Sequence, residues 1–188
     1  MSTSVFFVSG PPGSGKTTVA TRLAADLMMP LIARDEIKEL LLDALGSGDV
    51  AWSRTLGGAS YEVLFQALES QLRANRSVIV EANFVPSRCT PRLQALRDTY
   101  GFAPMEIHCT AATETVIERY VARAPFRHPG HHDAARVDDV AAALADQRHG
   151  SLDLGGVLIV IDTTDFATVD LDGVVGAARE FASLCKTS

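Results

Sequence analysis

Gly10-Pro11-Pro12-Gly13-Ser14-Gly15-Lys16-Thr17 fits the phosphate-loop (Walker A) pattern G-x-x-x-x-G-K-[ST] at every fixed position. The pattern carries weight only where a strand enters it and a helix leaves it. Val5-Phe6-Phe7-Val8 is a short apolar run of the kind that forms a buried strand, and residues 18–27 carry helical periodicity. Glycines let the backbone curl so that successive N–H groups face anionic oxygens, an approach that bulkier side chains would block. The N-terminus of the following helix adds partial positive charge. Lys16 then sets an ammonium on the β- and γ-phosphates, and Thr17 offers a hydroxyl to Mg²⁺. The expected nucleotide-binding residues are Gly10, Pro11, Pro12, Gly13, Ser14, Gly15, Lys16, Thr17 and Thr18. A glycine-rich turn that binds nothing would not need four fixed positions in this context.

The 188 residues, 47% of them hydrophobic and 21% charged, can bury a full core and are read as one domain over 1–188. A formal net charge of −6 argues against a general electrostatic grip on nucleic acid or an anionic membrane, while leaving room for a local basic groove. Cys89, Cys109 and Cys185 lie far apart, without metal-type spacing, and an odd count does not suggest a disulfide framework. Met1-Ser2-Thr3-Ser4 has no basic start, and the apolar run after it stops at the phosphate loop, so neither a signal peptide nor a spanning helix is expected. A cytoplasmic protein with no membrane partner is the expectation. No repeat or low-complexity tract is present.

Beyond the first helix, Leu31-Ile32-Ala33 reads as a short strand and 36–45 as a helix, which places Asp35 at a strand's carboxyl end. Ligands of open α/β sheets bind along that edge, so Asp35 should share a crevice with the phosphate loop and take a proton from an acceptor hydroxyl. It also suits a helix cap, and the two roles are compatible. Residues 52–73 look helical, with Gly57-Gly58 a place for a break, and Tyr61, Leu64, Phe65, Leu68 and Leu72 at core spacing. Ser77-Val78-Ile79-Val80-Glu81 reads as a buried strand ending in an acid. Phosphate-loop enzymes place an acid, usually Asp, there to help hold Mg²⁺, so Glu81 joins Thr17 as a candidate metal residue, a satisfied polar strand end being the alternative. A helix over 86–100, a strand over 103–110 and a helix from an N-cap at Thr113 through Arg123 follow. A helix over 137–148, a last core strand over 157–161 and a helix over 170–185 close the chain, which alternates strand and helix as three-layer α/β domains with mainly parallel sheets do.

The segment 119–136 has a different character. Arg119 and Arg123 are four apart on one helix face, while Pro125 and Pro129-Gly130 force a loop able to carry Arg127 to the same place. Phosphoryl transfer requires positive charge on phosphate oxygens as the bond breaks, and an arginine-bearing lid supplies it. Arg119 is accordingly read as a nucleotide contact, and Arg123 and Arg127, with Lys16 and Asp35, as catalytic. A solvated basic face beside a loop is the competing reading. His128, His131 and His132 have only Asp133 nearby to complete a metal set.

Taken together, Gly10 to Thr17, Arg34-Asp35-Glu36, Val78-Ile79-Val80-Glu81-Ala82-Asn83-Phe84 and the run from Arg123 to His131 resemble the small phosphate-loop kinases that include polynucleotide 5′-hydroxyl kinases, chloramphenicol phosphotransferase and zeta-type toxins. The resemblance spans nearly the whole chain. It implies a five-stranded sheet of order 2-3-1-4-5, ATP and Mg²⁺ as cofactors, and Asp35 as the base acting on an acceptor hydroxyl of a small molecule or a nucleic-acid 5′ end. An acceptor-free ATPase that switches a protein partner is the alternative, since phosphate loops support both chemistries. The sequence carries no Asn-Lys-x-Asp guanine signature.

Overall fold

In the computed structural model, which describes residues 2–187, five strands form one all-parallel sheet. In chain order the elements are β1 (Ser4–Ser9), α1 (Lys16–Leu27), β2 (Leu31–Ala33), α2 (Arg34–Leu45), α3 (Val50–Arg73), β3 (Val78–Glu81), α4 (Pro86–Tyr100), β4 (Ala103–Thr110), α5 (Thr113–Arg123), α6 (Val137–Ala145), β5 (Val157–Asp162) and α7 (Leu171–Thr187). The sheet order is β2-β3-β1-β4-β5, as the resemblance implies.

β1 lies between β3 and β4, with Val5 opposite Val78 and Pro104, and Val8 opposite Glu81 and Ile107. A strand covered on both faces has no solvent side, which is why its sequence is apolar without alternation. Val5 and Phe7 join Val78, Val80, Leu64, Leu68 and Leu93 in one core beneath α3 and α4. Phe6 and Val8 face the opposite core, with Val19 and Leu23 of α1 and Ala178 and Ala182 of α7. A third, small cluster of Val116, Tyr120 and Val140 packs α5 on α6. The lid therefore sits on hydrophobic contacts of its own.

The structure departs from the sequence-based reading at four places. α3 runs unbroken through Gly57-Gly58, and Asp49 caps it by accepting from Trp52 N at 2.8 Å. Gly57 is tolerated in a helix interior because a Cβ there would stand 2.9 Å from an Arg34 guanidinium nitrogen, whose N–H instead donates to the Gly57 carbonyl at 3.0 Å. The cap position of α5 is Ala112, whose N–H donates to Thr164 Oγ1 at 2.8 Å, and Thr113 is already helical. α6 ends at Ala145, short of the expected 148. β5 is an edge strand with Val157, Leu158 and Val160 exposed; its apolar run imitates a central strand. Among the described residues no helix is long and apolar enough to cross a membrane.

The fully buried Phe7 ring contacts Phe84 and Phe102, both with centroids 6.1 Å away. Phe7→Ala is expected to cost about 3–5 kcal/mol, since the strand-bound neighbours cannot collapse into the space. Urea unfolding should show a lower midpoint at unchanged slope.

Candidate phosphate-binding and transfer site

The loop of residues 10–15 turns the chain from the carboxyl end of β1 into α1. Gly10, Gly13 and Gly15 all adopt positive φ. At Gly10, with φ 135°, a Cβ would lie 2.2 Å from the Cys109 carbonyl oxygen, so the close approach of the loop to β4 admits no side chain. The Ser14 N–H donates to the Pro11 carbonyl at 3.2 Å, tightening the turn. Lys16 is buried, donates to the Pro11 carbonyl at 3.2 Å, and lies 3.8 Å from Glu81 Oε1. Thr17 Oγ1 donates to Glu81 Oε2 at 3.3 Å. Burial holds the Lys16 ammonium below its ordinary proton affinity, against the opposing pull of Glu81 and Asp35. Burial raises the Glu81 carboxyl, with Lys16 opposing. Both groups are short of the charge partners that a solvated or ligand-bound site would give them.

A cavity of about 430 Å³ lies over this loop, lined by Gly13, Gly15, Lys16, Thr17, Thr18, Arg119, Ala122 and Arg123. The buried Ser14 Oγ has no hydrogen-bond partner among the described residues. A glycine cradle, an ammonium, a helix N-terminus and an orphaned hydroxyl suit a phosphate chain, and Thr17 with Glu81 suits a hard divalent cation.

Asp35 lies in the first turn of α2, and its side chain makes no capping bond; the cap position is Ala33. Its carboxylate stands between Arg34 Nη1, 3.1 Å from Oδ1, and Arg127 Nη2, 3.1 Å from Oδ2. Burial favours the neutral acid, but the positive charges of Arg127, Arg34 and Lys16 prevail and hold the carboxyl well below its ordinary range. Asp35 lies two residues past Ala33, which pairs with Glu81 in the sheet, and its charge is felt at Lys16.

The three lid arginines do not meet at one point. Arg119 Nη2 donates to the carbonyls of Thr163 at 2.8 Å and Thr164 at 3.1 Å, which ties it to the turn after β5. Arg123 stacks on Tyr120 with its guanidinium carbon 4.9 Å from the ring centroid, and its Nε is 3.6 Å from Asp133 Oδ2. Those two atoms are buried without hydrogen-bond partners among the described residues. The 3-10 turn Ala124–Phe126 then carries the Arg127 guanidinium to Asp35, Glu39 and His131, with its Nε 3.9 Å from Asp133 Oδ2, the atom that Arg123 also approaches. Helical spacing brings Arg119 and Arg123 to the phosphate side, while the Pro125 turn delivers Arg127 to α2.

Each lid histidine has its own partner: His128 with Asp43, His131 with Glu39, and His132 with the Gly48 carbonyl. Among the described residues no three His, Cys, Asp or Glu side chains gather as a metal site. Two residues escaped the sequence reading. Glu39, four after Asp35 on the same face of α2, was readable from spacing. Lys38 is fully buried on the stripe that also carries Leu42 and donates to Ser53 Oγ at 2.8 Å; a lysine on an apolar stripe was the available signal.

The profile of a family described as AAA domain matches residues 5–148. The chain belongs to this AAA domain family. It is 32% identical to a solved structure from Chloroflexus aurantiacus described as a "putative kinase", with a TM-score of 0.86 over 96% of this chain and 98% of that one. A sugar kinase from Janibacter sp. shares the fold at 16% identity and a TM-score of 0.58, covering 94% of this chain and 92% of that one. No curated protein matches the chain.

Burial, reinforced by Arg127, pushes His131 down to about 3 from an ordinary 6.5. Between those values the unfolded chain binds a proton that the folded one refuses, so this contribution is complete above pH 6.5 and is lost as pH falls. Its slope is at most about 1.4 kcal/mol per pH unit. His131→Gln should leave a shallower loss of stability between pH 6.5 and 4.5. Chemical denaturation of both proteins across that range reads the difference, and the subtraction cancels other groups such as His149, which burial also lowers.

Proposed function

We propose that the chain is an ATP-dependent phosphotransferase that moves the γ-phosphate of ATP to the hydroxyl of an acceptor. The observation that carries this reading is the pairing of two features at one sheet edge. A phosphate cradle with a buried lysine has, within Coulomb reach, a carboxylate held by two arginines. A binding module has no use for the second feature. The Chloroflexus aurantiacus structure and its description support the same reading.

On this reading the γ-phosphoryl group rests on the loop N–H groups and the Lys16 ammonium. The acceptor oxygen attacks phosphorus, the bond to the β-phosphate oxygen breaks, and the acceptor proton passes to Asp35. The strongly depressed proton affinity of Asp35 suits a loose transition state, in which the acceptor O–H stays largely intact until the new bond is well formed. Asp35 thus acts first as an acceptor that aims the hydroxyl and only late as a base. Arg123, at the cavity over the loop, is placed to meet charge developing on the transferred group, and Arg119 to line the nucleotide path. Arg127 acts through Asp35, fixing its orientation. Thr17 and Glu81 would hold Mg²⁺, which supplies positive charge to the phosphate oxygens.

Asp35→Asn keeps the shape of the side chain but cannot take a proton. It is expected to lower acceptor phosphorylation by roughly 10²–10⁴-fold, with ATP affinity nearly unchanged. Lys16→Ala should abolish turnover while the fold survives. Both are measured by following ATP consumption and phosphorylated product over a panel of alcohols. Full transfer by Asp35→Asn removes the base assignment. An ATPase rate indifferent to every alcohol, but responsive to a protein, would make the chain a nucleotide-dependent switch instead.

A further inference from the structure

A second and larger cavity, about 610 Å³, opens on the other side of the phosphate loop. Pro12 of the loop borders it, as do Asn83 and Arg34, whose guanidinium also holds Asp35. Six cationic side chains line it: Arg34, Lys38, Arg54, Arg88, Arg136 and Arg148. Arg34 is answered by Asp35 and Arg148 by Asp146, while Arg54 and Arg136 share the single oxygen Oδ2 of Asp139 at 3.0 and 3.3 Å. Arg88 and the buried Lys38 have no carboxylate within ion-pair distance among the described residues, so three carboxylates face six cations. The chain as a whole carries a net charge of −6. A local concentration of positive charge in an acidic protein draws an anionic ligand toward it.

We propose that this cavity is the acceptor site and that the acceptor is a small alcohol carrying a phosphate or carboxylate group. The inference rests on the phosphotransferase reading and specifies its substrate class. The hydroxyl end points toward Asp35 and the loop, and the anionic group lies among the guanidiniums, which match a planar or tetrahedral oxyanion with paired N–H donors. Lys38 fits the same purpose. Burial, together with repulsion from Arg34 and Arg136, lowers it to about 8, a cost that a bound anion would relieve. A polynucleotide is the less favoured occupant, because it would need a basic track continuing beyond the cavity, and the chain as a whole carries a net charge of −6.

The test compares matched alcohols: ribose with ribose 5-phosphate, glycerol with glycerate, and a 5′-hydroxyl oligonucleotide, each with ATP and the full chain. The charged member of each pair is expected to exceed its neutral partner by about tenfold or more in kcat/KM, the scale of one hydrogen bond to a charged group. Its KM should rise with salt. In Arg88→Gln, an exposed position where folding is not at stake, the advantage should shrink through KM, with kcat for the charged member largely kept. Equal or better use of the neutral partners overturns the proposal and leaves the phosphotransferase reading standing. An advantage that Arg88→Gln leaves untouched overturns its assignment to this cavity. Preference for the oligonucleotide overturns the small-molecule class. ATP hydrolysis that depends on Lys16, with no alcohol phosphorylated, sinks the phosphotransferase reading itself.

Discussion

The rest of the site depends on one constraint: the Lys16 ammonium is kept out of water, with the Glu81 carboxylate 3.8 Å away as its one ion-pair partner among the described residues. Each charge eases the burial of the other, and Glu81, which also accepts from Thr17 and is raised by burial, can take up a proton where the lysine is lost. The pair can exist only because β1 and β3 are neighbours in register, Val8 opposite Glu81, so that the strand entering the loop and the strand bearing the acid end at the same level. Sheet order thus becomes charge order. Inserting β3 between β2 and β1 puts the acid beside the lysine and brings Asp35, just past the end of β2, within the field of both.

From that edge the charges alternate outward. Lys16 faces Glu81 and feels Asp35; Asp35 is held by Arg34 and Arg127; Arg127 is shared with Glu39 and approaches Asp133. An added phosphate would join this network at the loop and exchange some of its outer contacts. The atoms with most to gain are those buried without a hydrogen bond among the described residues: Ser14 Oγ in the loop, Arg34 Nε beside Asp35, and Arg123 Nε with Asp133 Oδ2 in the lid. An incoming triphosphate would meet the first directly and draw the Arg123 guanidinium toward itself. That would free Asp133, which already accepts a hydrogen bond from the Tyr120 hydroxyl at 2.9 Å.

Much of this arrangement was legible in the sequence, and the part that was not has a physical explanation. The loop, Glu81 and Asp35 could be read because each lies within a few residues of a strand end, where local pattern and topology agree. The apolar run of β1 correctly indicated a strand buried on both faces, yet the similar run of β5 belongs to an exposed edge, because composition does not record how many neighbours a strand has. Gly57-Gly58 looked like a helix break, and only the Arg34 guanidinium packed against it explains why the helix continues. The arginines of the lid were found, but their destinations were not. Spacing of four sets Arg119 and Arg123 on one face, whereas the direction of Arg127 depends on a 3-10 turn whose angle no periodicity encodes.

The same distinction explains why net charge does not reveal a local cationic cavity. A total of −6 averages over a surface on which acids and bases are sorted, and the sorting is done by long-range contacts. Arg54 from α3 and Arg136 from the lid meet at Asp139, Arg34 reaches across to α3, and Arg148 arrives from the turn after α6. No two of these arginines are within ten residues of each other; the nearest pair, Arg136 and Arg148, lie twelve apart. Only folding makes them one surface. The phosphate side of the site is encoded locally because its chemistry needs backbone N–H groups from consecutive residues. The cationic cavity is encoded globally, because its charges converge from α2, α3, α4, the lid and the turn after α6. A sequence therefore declares its phosphate loop openly, while a cavity lined from distant segments has to be read from the assembled fold.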